Sequence, residues 1–257
     1  MKNNWIFIDS GYKSGFYNIA ADEEILSFEK PVLRIYGFKP YCITLGYSMN
    51  ADDALNRDYI IHKGFDITRR MTGGKAVLHG DEITYSLAAP LSFFGKSVVN
   101  AYEKSSLVLE YAYRQCGIVI ERAGENEKGN NPICFAEKSK YEVSAGGKKL
   151  AGFAQKKCGD KILQHCSIPL NVDFSVLKNC FSLEEGEANE LADKISAVNL
   201  LSKEFIAYAA FKNYLLEGFK KIFHVDFEIT DFSAEQEKNI YERVNRKYIL
   251  PCWVMRK

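Results

Sequence analysis

No stretch of the chain approaches the ~18 consecutive apolar residues that a membrane-spanning helix needs, so no membrane partner is expected. Net charge is almost absent, with 34 basic residues facing 33 acidic ones for a formal +1. So balanced a chain is not built as a general nucleic-acid or membrane-surface binder, although the overall balance says nothing about a local patch. The opening Met1-Lys2-Asn3-Asn4-Trp5-Ile6-Phe7-Ile8-Asp9 lacks the apolar run and cleavage site of a secretory signal. CxxC spacing is missing too: the seven cysteines, at 42, 116, 134, 158, 166, 180 and 252, form an odd set without it. That speaks against a disulfide framework or zinc site and for reduced thiols in a cytoplasm, with neither metal nor cofactor expected. Internal repeats, low-complexity tracts and a clear interdomain linker are also lacking, so residues 1–257 are expected to form one domain.

What the chain does have is apolar material for a substantial core, 47% hydrophobic and 13% aromatic. It also has one chemically dense stretch, Arg69-Arg70-Met71-Thr72-Gly73-Gly74-Lys75-Ala76-Val77-Leu78-His79, followed by an apolar alternation through Ile83, Tyr85 and Leu87. Paired glycines let the backbone take positive φ and let a ligand approach the main chain closely. Amides exposed in such a turn hold anionic or carbonyl groups, which flanking arginines also favour. The alternative is an ordinary hairpin turn with solvated arginines on its rim.

Along the chain, Trp5-Ile6-Phe7-Ile8 reads as a short buried strand and Asn18 to Lys30 as a helix with Asp22-Glu23-Glu24 facing water. Val32 to Tyr36 and Cys42 to Tyr47 read as strands paired across a Gly37/Pro40 turn. The patterns predict helices over Asp53 to Lys63 and Ser97 to Cys116, then a strand at Ile118-Val119-Ile120. Gly124 to Asn131 is loop-like and delivers Cys134. Tyr141 to Ala145, Lys148 onward and Lys161 to Ile168 read as a three-stranded meander turning at Gly146-Gly147 and Gly159-Asp160. The chain is expected to turn helical after Pro169, with a helical C-terminal part from about 184. Ser202 is read as the cap of a helix carrying Tyr208, Phe211, Leu215, Phe219 and Ile222, and Ser233-Ala234-Glu235-Gln236 as a capping box opening another. Strands and helices in this mixed order, with hairpins, suggest α+β.

Several residues could carry chemistry. Lys148 and Lys149 point to opposite faces of a regular strand, so one is solvated and the other is free to face a pocket; two solvated lysines are the commoner outcome for such a pair. A free cysteine is more often inert filler than nucleophile, but Cys134 follows a polar loop, and a nearby lysine would favour its thiolate. Cys42 and Cys116 look like filler. His79 is suited to orienting a substrate, acting as a base or making a structural hydrogen bond. His165 reads better as a satisfied strand histidine. Arg69 and Arg70 alternate along a strand, so only one should reach the site.

Taken together, these pieces resemble the lipoate–protein ligase and octanoyltransferase superfamily. Trp5 to Asp9, Asn18-Ile19-Ala20-Ala21-Asp22-Glu23 and Leu45-Gly46-Tyr47 are similar to its N-terminal elements, and Arg69 to His79 is similar to its signature RRxTGGxAVxH. Gly147-Lys148-Lys149-Leu150-Ala151-Gly152 matches the family's lysine motif. Within the superfamily the chain looks most like the cysteine-dependent octanoyltransferases: Cys134-Phe135 precedes the lysine hairpin, and Gly152-Phe153-Ala154-Gln155 and Gln164 to Leu170 echo GSAQ and QHGSIPL. Phe153 and Cys166 depart from those patterns and are expected to reshape the acyl pocket. The resemblance implies a biotin/lipoate ligase-type catalytic domain, a mixed, mostly antiparallel sheet flanked by helices. It implies Cys134 and Lys149 as catalytic residues, and Arg70, Gly73, Gly74, His79, Gly152 and Ala154 as substrate-binding residues. The implied activity moves octanoate from acyl carrier protein to the lysine of a lipoyl-domain protein, such as glycine-cleavage H protein, through a Cys134 acyl-enzyme. An ATP-dependent lipoate–protein ligase and a relay amidotransferase between lipoyl-domain proteins are the alternatives.

Overall fold

The computed structural model describes residues 3–51, 55–95, 97–122 and 143–256. Strand β1 (Asn3–Lys13) leads through α1 (Gly15–Glu24) to β2 (Val32–Phe38) and β3 (Cys42–Leu45). Helix α2 (Arg57–His62) precedes β4 (Asp66–Arg69), β5 (Val77–His79) and β6 (Glu82–Pro90), then α3 (Val98–Gln115) and the short β7 (Glu121–Arg122). Two hairpins follow, β8 (Val143–Ala145) with β9 (Lys148–Lys149) and β10 (Gly152–Cys158) with β11 (Lys161–Pro169). The last described part holds α4 (Phe174–Cys180), α5 (Glu185–Lys194), α6 (Val198–Leu201), α7 (Tyr208–Phe223), β12 (Val225–Ile229), α8 (Ala234–Arg243) and α9 (Pro251–Val254). Among the described residues no helix is long and apolar enough to cross a membrane.

The main sheet has the order β10-β11-β6-β2-β1-β12. Its β10–β11, β11–β6 and β6–β2 pairings are antiparallel, whereas β12 and β2 flank β1 in parallel. The fold is therefore α+β with a mixed sheet. Two smaller sheets, β4-β3-β5 and β7-β8-β9, adjoin it.

Side chains alternate between the faces of the main sheet, and the register sorts them into rows. Ile35, Tyr85, Cys166 and Phe153 stand opposite one another across β2, β6, β11 and β10, and belong to the apolar core shared with α3 and α7. Helix α7 contributes Phe211, Leu215 and Phe219, all fully buried; each such side chain is worth about 1.5–3 kcal/mol. The neighbouring row Arg34, Ser86, His165 and Ala154 faces the other way, toward α1. One face of the sheet is thus the main apolar core, and the opposite face carries a smaller apolar cluster of Ile8, Ile25, Val32, Ala88 and Leu163 beside the buried polar row.

Several expectations need correction. Strand β2 does not pair with β3. It is buried along its whole length and needs a neighbour on each edge, which β1 and β6 supply, while β3 pairs with β4 and β5 in a separate sheet. Asp22 and Glu24 do not face water. Both are buried by partners distant in sequence: Arg34 for Asp22, Arg243 for Glu24. Ile118 to Ile120 form no strand; Val119 is 85% exposed, and the pairing falls on β7. The meander is broken at Leu150-Ala151, because β9 pairs with β8 in a small sheet whereas β10 begins the main one. Ser202 does not cap α7, whose cap position is Ala207. The chain does turn helical after Pro169, at α4, earlier than the helical part expected from about 184, and it returns a strand, β12, to the sheet edge. The Ser233 capping box is present, with Ser233 and Gln236 bonding each other reciprocally.

Candidate active site

A small pocket of about 30 Å³ opens on the α1 side of the main sheet, where it meets β3 and β5. The two arginines of the signature take different directions from it. Arg69 ends β4 fully buried and donates to the carbonyls of Gly46 (2.7 Å), Met49 (2.5 Å), Trp253 (3.1 Å) and Arg256 (3.0 Å), tying the C-terminal segment to the core. Arg70 lines the pocket. Its Nη1 donates to Thr44 O and Oγ1, and its Nη2 donates to Gly73 O at 2.9 Å and Lys75 O at 2.7 Å, shaping the turn after β4. Alternation along the strand separates the two, as expected.

Gly73 and Gly74 occupy that turn and do not line the pocket. Gly74 has φ +92, and a Cβ there would meet Arg70 Nη2 at 2.9 Å; Gly73 has open space around it. Gly74 also seats the turn tightly, since a Cβ on Gly46 would lie 1.7 Å from Gly74 O.

His79 is gripped on every side. Nδ1 lies 2.7 Å from Glu82 Oε1, Nε2 lies 2.8 Å from Thr44 Oγ1, and the ring stacks on Phe38 at 4.1 Å between centroids. A carboxylate at Glu82 accepts from Nδ1–H, and in the Nδ1–H tautomer Nε2 accepts the Thr44 hydroxyl. The result is a directed chain from Arg70 through Thr44 and His79 to Glu82. Glu82 also receives Thr84 and Ser167 hydroxyls, the latter at 2.6 Å. With both nitrogens engaged, His79 is placed to hold the pocket wall rather than to take a proton from substrate.

Gly152, Ala154 and His165 complete the opposite wall. His165 is not the satisfied strand histidine that the sequence suggested. Its Nε2 is buried and has no hydrogen-bond partner among the described residues, although Asp22 Oδ2 lies 3.1 Å away. Burial pushes its pKa down to about 4 against the pull of Asp22, with Arg70, His79 and Arg34 adding to the depression. Beneath it Asp22 binds Arg34 Nη1 at 2.9 Å and the Tyr36 hydroxyl at 2.7 Å. Phe153 is among the residues lining this pocket, as the departure at that position suggested, whereas Cys166 is not. Both belong to the row facing α3 and α7, where Phe153 packs edge-on against Tyr102 and Cys166 is fully buried.

The lysine hairpin turns at Gly146 and Gly147, with φ +54 and +76. Lys149 is only 6% exposed; its strand bridges Ile195, and its carbonyl accepts the Ser196 amide at 2.9 Å. Lys148 points outward and donates to Ala192 O at 2.9 Å. The opposite-face expectation holds. Lys149 is not among the lining residues of the small pocket, but the two-residue Leu150-Ala151 link joins its hairpin to Gly152, which is. Cys134 lies outside the described residues. Burial raises the thiol pKa of Cys42 and Cys166 well above the ordinary range and that of Cys116 to about 11, as befits inert filler. Among the described residues, no group of three or more His, Cys, Asp or Glu could hold a metal.

Arg70, His79, Gly152 and Ala154, which the resemblance implies, line one pocket, whereas nothing in the sequence singles out Asp22, Thr44, Ser167 or the pocket-facing His165. Glu82, three residues after His79, was the one local signal available.

A second cavity, of about 400 Å³, lies on the other side of the β5–β6 turn. Leu78, Phe174, Leu177 and Ile195 are its apolar lining residues, and Asp81 and Asp173 are acidic residues at its edge.

Residues 14–220 match the family model described as lipoyl protein ligase A/B catalytic domain. The chain is 33% identical to octanoyltransferase LipM of Exiguobacterium sp., over 98% of each chain, and 32% identical to octanoyltransferase LipM of Staphylococcus aureus, over the full length of both. Its fold matches a crystal structure of lipoate-protein ligase A bound with ATP, with a TM-score of 0.82, 22% identity and 99% of each chain covered. It also matches a putative lipoate protein ligase from Thermoplasma acidophilum with bound lipoic acid, with a TM-score of 0.82 and 21% identity over 99% of each chain.

Proposed function

The chain belongs to the lipoyl protein ligase A/B catalytic domain family, and we propose that it works as a cysteine-dependent octanoyltransferase drawing on a carrier-protein thioester. Octanoyl transfer in lipoate biosynthesis is its activity, with a lipoyl-domain protein as acceptor. The finer reading takes acyl carrier protein as donor and a protein of the glycine-cleavage H type as one acceptor. It is supported most by full-length identity to octanoyltransferases combined with a pocket in which Arg70, His79, Gly152 and Ala154 converge.

In the first half-reaction the Cys134 thiolate attacks the octanoyl thioester carbonyl. The carrier thiol leaves as thiolate and takes up a proton, and an enzyme thioester forms. In the second, the neutral amine of the acceptor lysine attacks that thioester. The amide forms, the Cys134 thiolate leaves, and the amine proton is released. The Lys149 ammonium stabilises the oxyanion of each tetrahedral intermediate. The Arg70–Thr44–His79–Glu82 chain fixes the wall along which the acyl group lies, and Gly74 keeps the turn open beside it. A pocket of about 30 Å³ holds little more than a water molecule, so the eight-carbon tail enters only as surrounding side chains give way. The need for a reduced Cys134 places the reaction in the cytoplasm.

The test is nucleotide dependence. Transfer from octanoyl carrier protein to the acceptor should proceed at full rate without ATP and be lost in Cys134→Ser, because a hydroxyl is a far weaker nucleophile than a thiolate near neutral pH. Activity that requires ATP and free octanoate or lipoate would assign the chain to the ligases instead.

A further inference from the structure

The directed chain in the pocket leaves Arg69 with no part in the chemistry. Its guanidinium instead holds the backbone of Trp253, Val254 and Arg256, and Trp253 Nε1 returns a hydrogen bond to Arg69 O at 2.9 Å. What this clamp displays is a small cationic platform. The Arg256 guanidinium lies over the rings of Tyr47 (3.8 Å) and Trp253 (4.2 Å), and Lys156 Nζ lies over the same Tyr47 ring at 4.9 Å. Lys247 sits over Trp253 at 4.5 Å but is paired with Glu23 at 2.7 Å. Arg246 pairs with Glu242 at 3.7 Å. Among the described residues no carboxylate forms an ion pair with Lys156 or Arg256.

Two like charges gathered on one tyrosine repel each other, and in a chain of net charge +1 general basicity does not account for them. Stacking on the rings fixes the guanidinium in advance, so less side-chain entropy is lost when it meets a carboxylate. The platform also adjoins the site. The Tyr47 amide donates to Thr72 O at 2.9 Å, within the turn that Arg70 holds beside the pocket.

We propose that the Lys156–Arg256 platform over Tyr47 docks an acidic protein surface, that of the carrier delivering the acyl group, so that the thioester is presented beside the Arg70 turn. The proposal rests on the octanoyltransferase reading for the identity of the partner. Such rim charges raise the association rate and make it salt-dependent, with little effect on the chemical step.

The experiment compares two donors, octanoyl carrier protein and octanoyl-pantetheine, with wild type and the Lys156→Glu/Arg256→Glu double variant, at low and high salt. The expected result is a loss of roughly tenfold or more in kcat/KM for the carrier-bound donor at low salt, with octanoyl-pantetheine and the KM of the acceptor unchanged. Salt should slow the wild type toward the variant. Equal losses with both donors, no loss with either, or a rise confined to the acceptor KM would overturn it. Lys156→Gln/Arg256→Gln repeats the comparison if charge reversal lowers the melting temperature. If the wild type uses neither thioester, the octanoyltransferase reading fails, and the platform is judged by binding of the apo carrier protein alone. Salt-sensitive binding lost in the variant upholds it, and no binding refutes it.

Discussion

Asp22 Oδ1 lies 2.9 Å from Arg34 Nη1, and neither side chain retains any solvent exposure. The pair joins α1 to the centre of the main sheet directly beneath the candidate pocket. Arg34 is further satisfied by Ser10 Oγ (2.8 Å) and by both oxygens of Asn18, and its guanidinium lies 4.0 Å from the Tyr36 ring centroid.

Removing one partner of such a pair strands a buried charge. Asp22→Ala should therefore destabilise the protein by about 3–5 kcal/mol, read from denaturant midpoints. A loss below about 1 kcal/mol would mean that Arg34 is held adequately by its other partners.

His165 makes stability depend on pH. Its folded pKa of about 4 lies below the unfolded value near 6.5, so the unfolded chain binds the proton first. Stability attributable to the neutral ring is fully present above pH 6.5 and is lost as pH falls from there toward 4, on the order of 3 kcal/mol in all. His165→Gln should flatten the stability profile in that window; an unchanged slope would place its cause elsewhere.

Lys149→Ala should reduce transfer by about 100-fold or more with an unchanged melting temperature, as expected for loss of an oxyanion partner. Lys148→Ala, which removes an outward-pointing side chain bonded to Ala192 O, should stay within about twofold of wild type. The reverse result would contradict the assignment of faces in the hairpin.

The two signature glycines should behave differently. Gly74→Val meets Arg70 Nη2 and adopts positive φ at a cost of about 1–2 kcal/mol, so both acyl transfer and stability should fall. Gly73→Ala, in open space, should be close to silent in stability. Equal losses would show that the turn, and not the Arg70 contact, is what matters.

Local signals were legible in the sequence and long-range pairing was not. Alternation says that only one of Arg69 and Arg70 reaches the site, the resemblance points to Arg70, and alternation likewise separates Lys149 from Lys148, because strand periodicity is a property of adjacent residues. The α8 capping box was readable for the same reason. Asp22 was misread because its partner Arg34 lies on another element, and a charged residue on an otherwise amphipathic helix ordinarily faces water. The β2–β3 pairing failed likewise: nearness in sequence suggested a hairpin, but a strand buried on both faces has to sit inside a sheet. His165 and Ser167 reach the pocket only through the register of β6 and β11, whereas Glu82 lies just three residues from His79.

The central claim is that the acyl group passes through Cys134 without nucleotide. Intact mass measurement after mixing the protein with octanoyl carrier protein alone tests it most directly. One octanoyl group should be gained and then released by hydroxylamine, as a thioester is; the adduct should persist in Cys166→Ser and be absent from Cys134→Ser. A protein that stays unmodified, yet lipoylates its acceptor once ATP and free lipoate are supplied, would contradict the account.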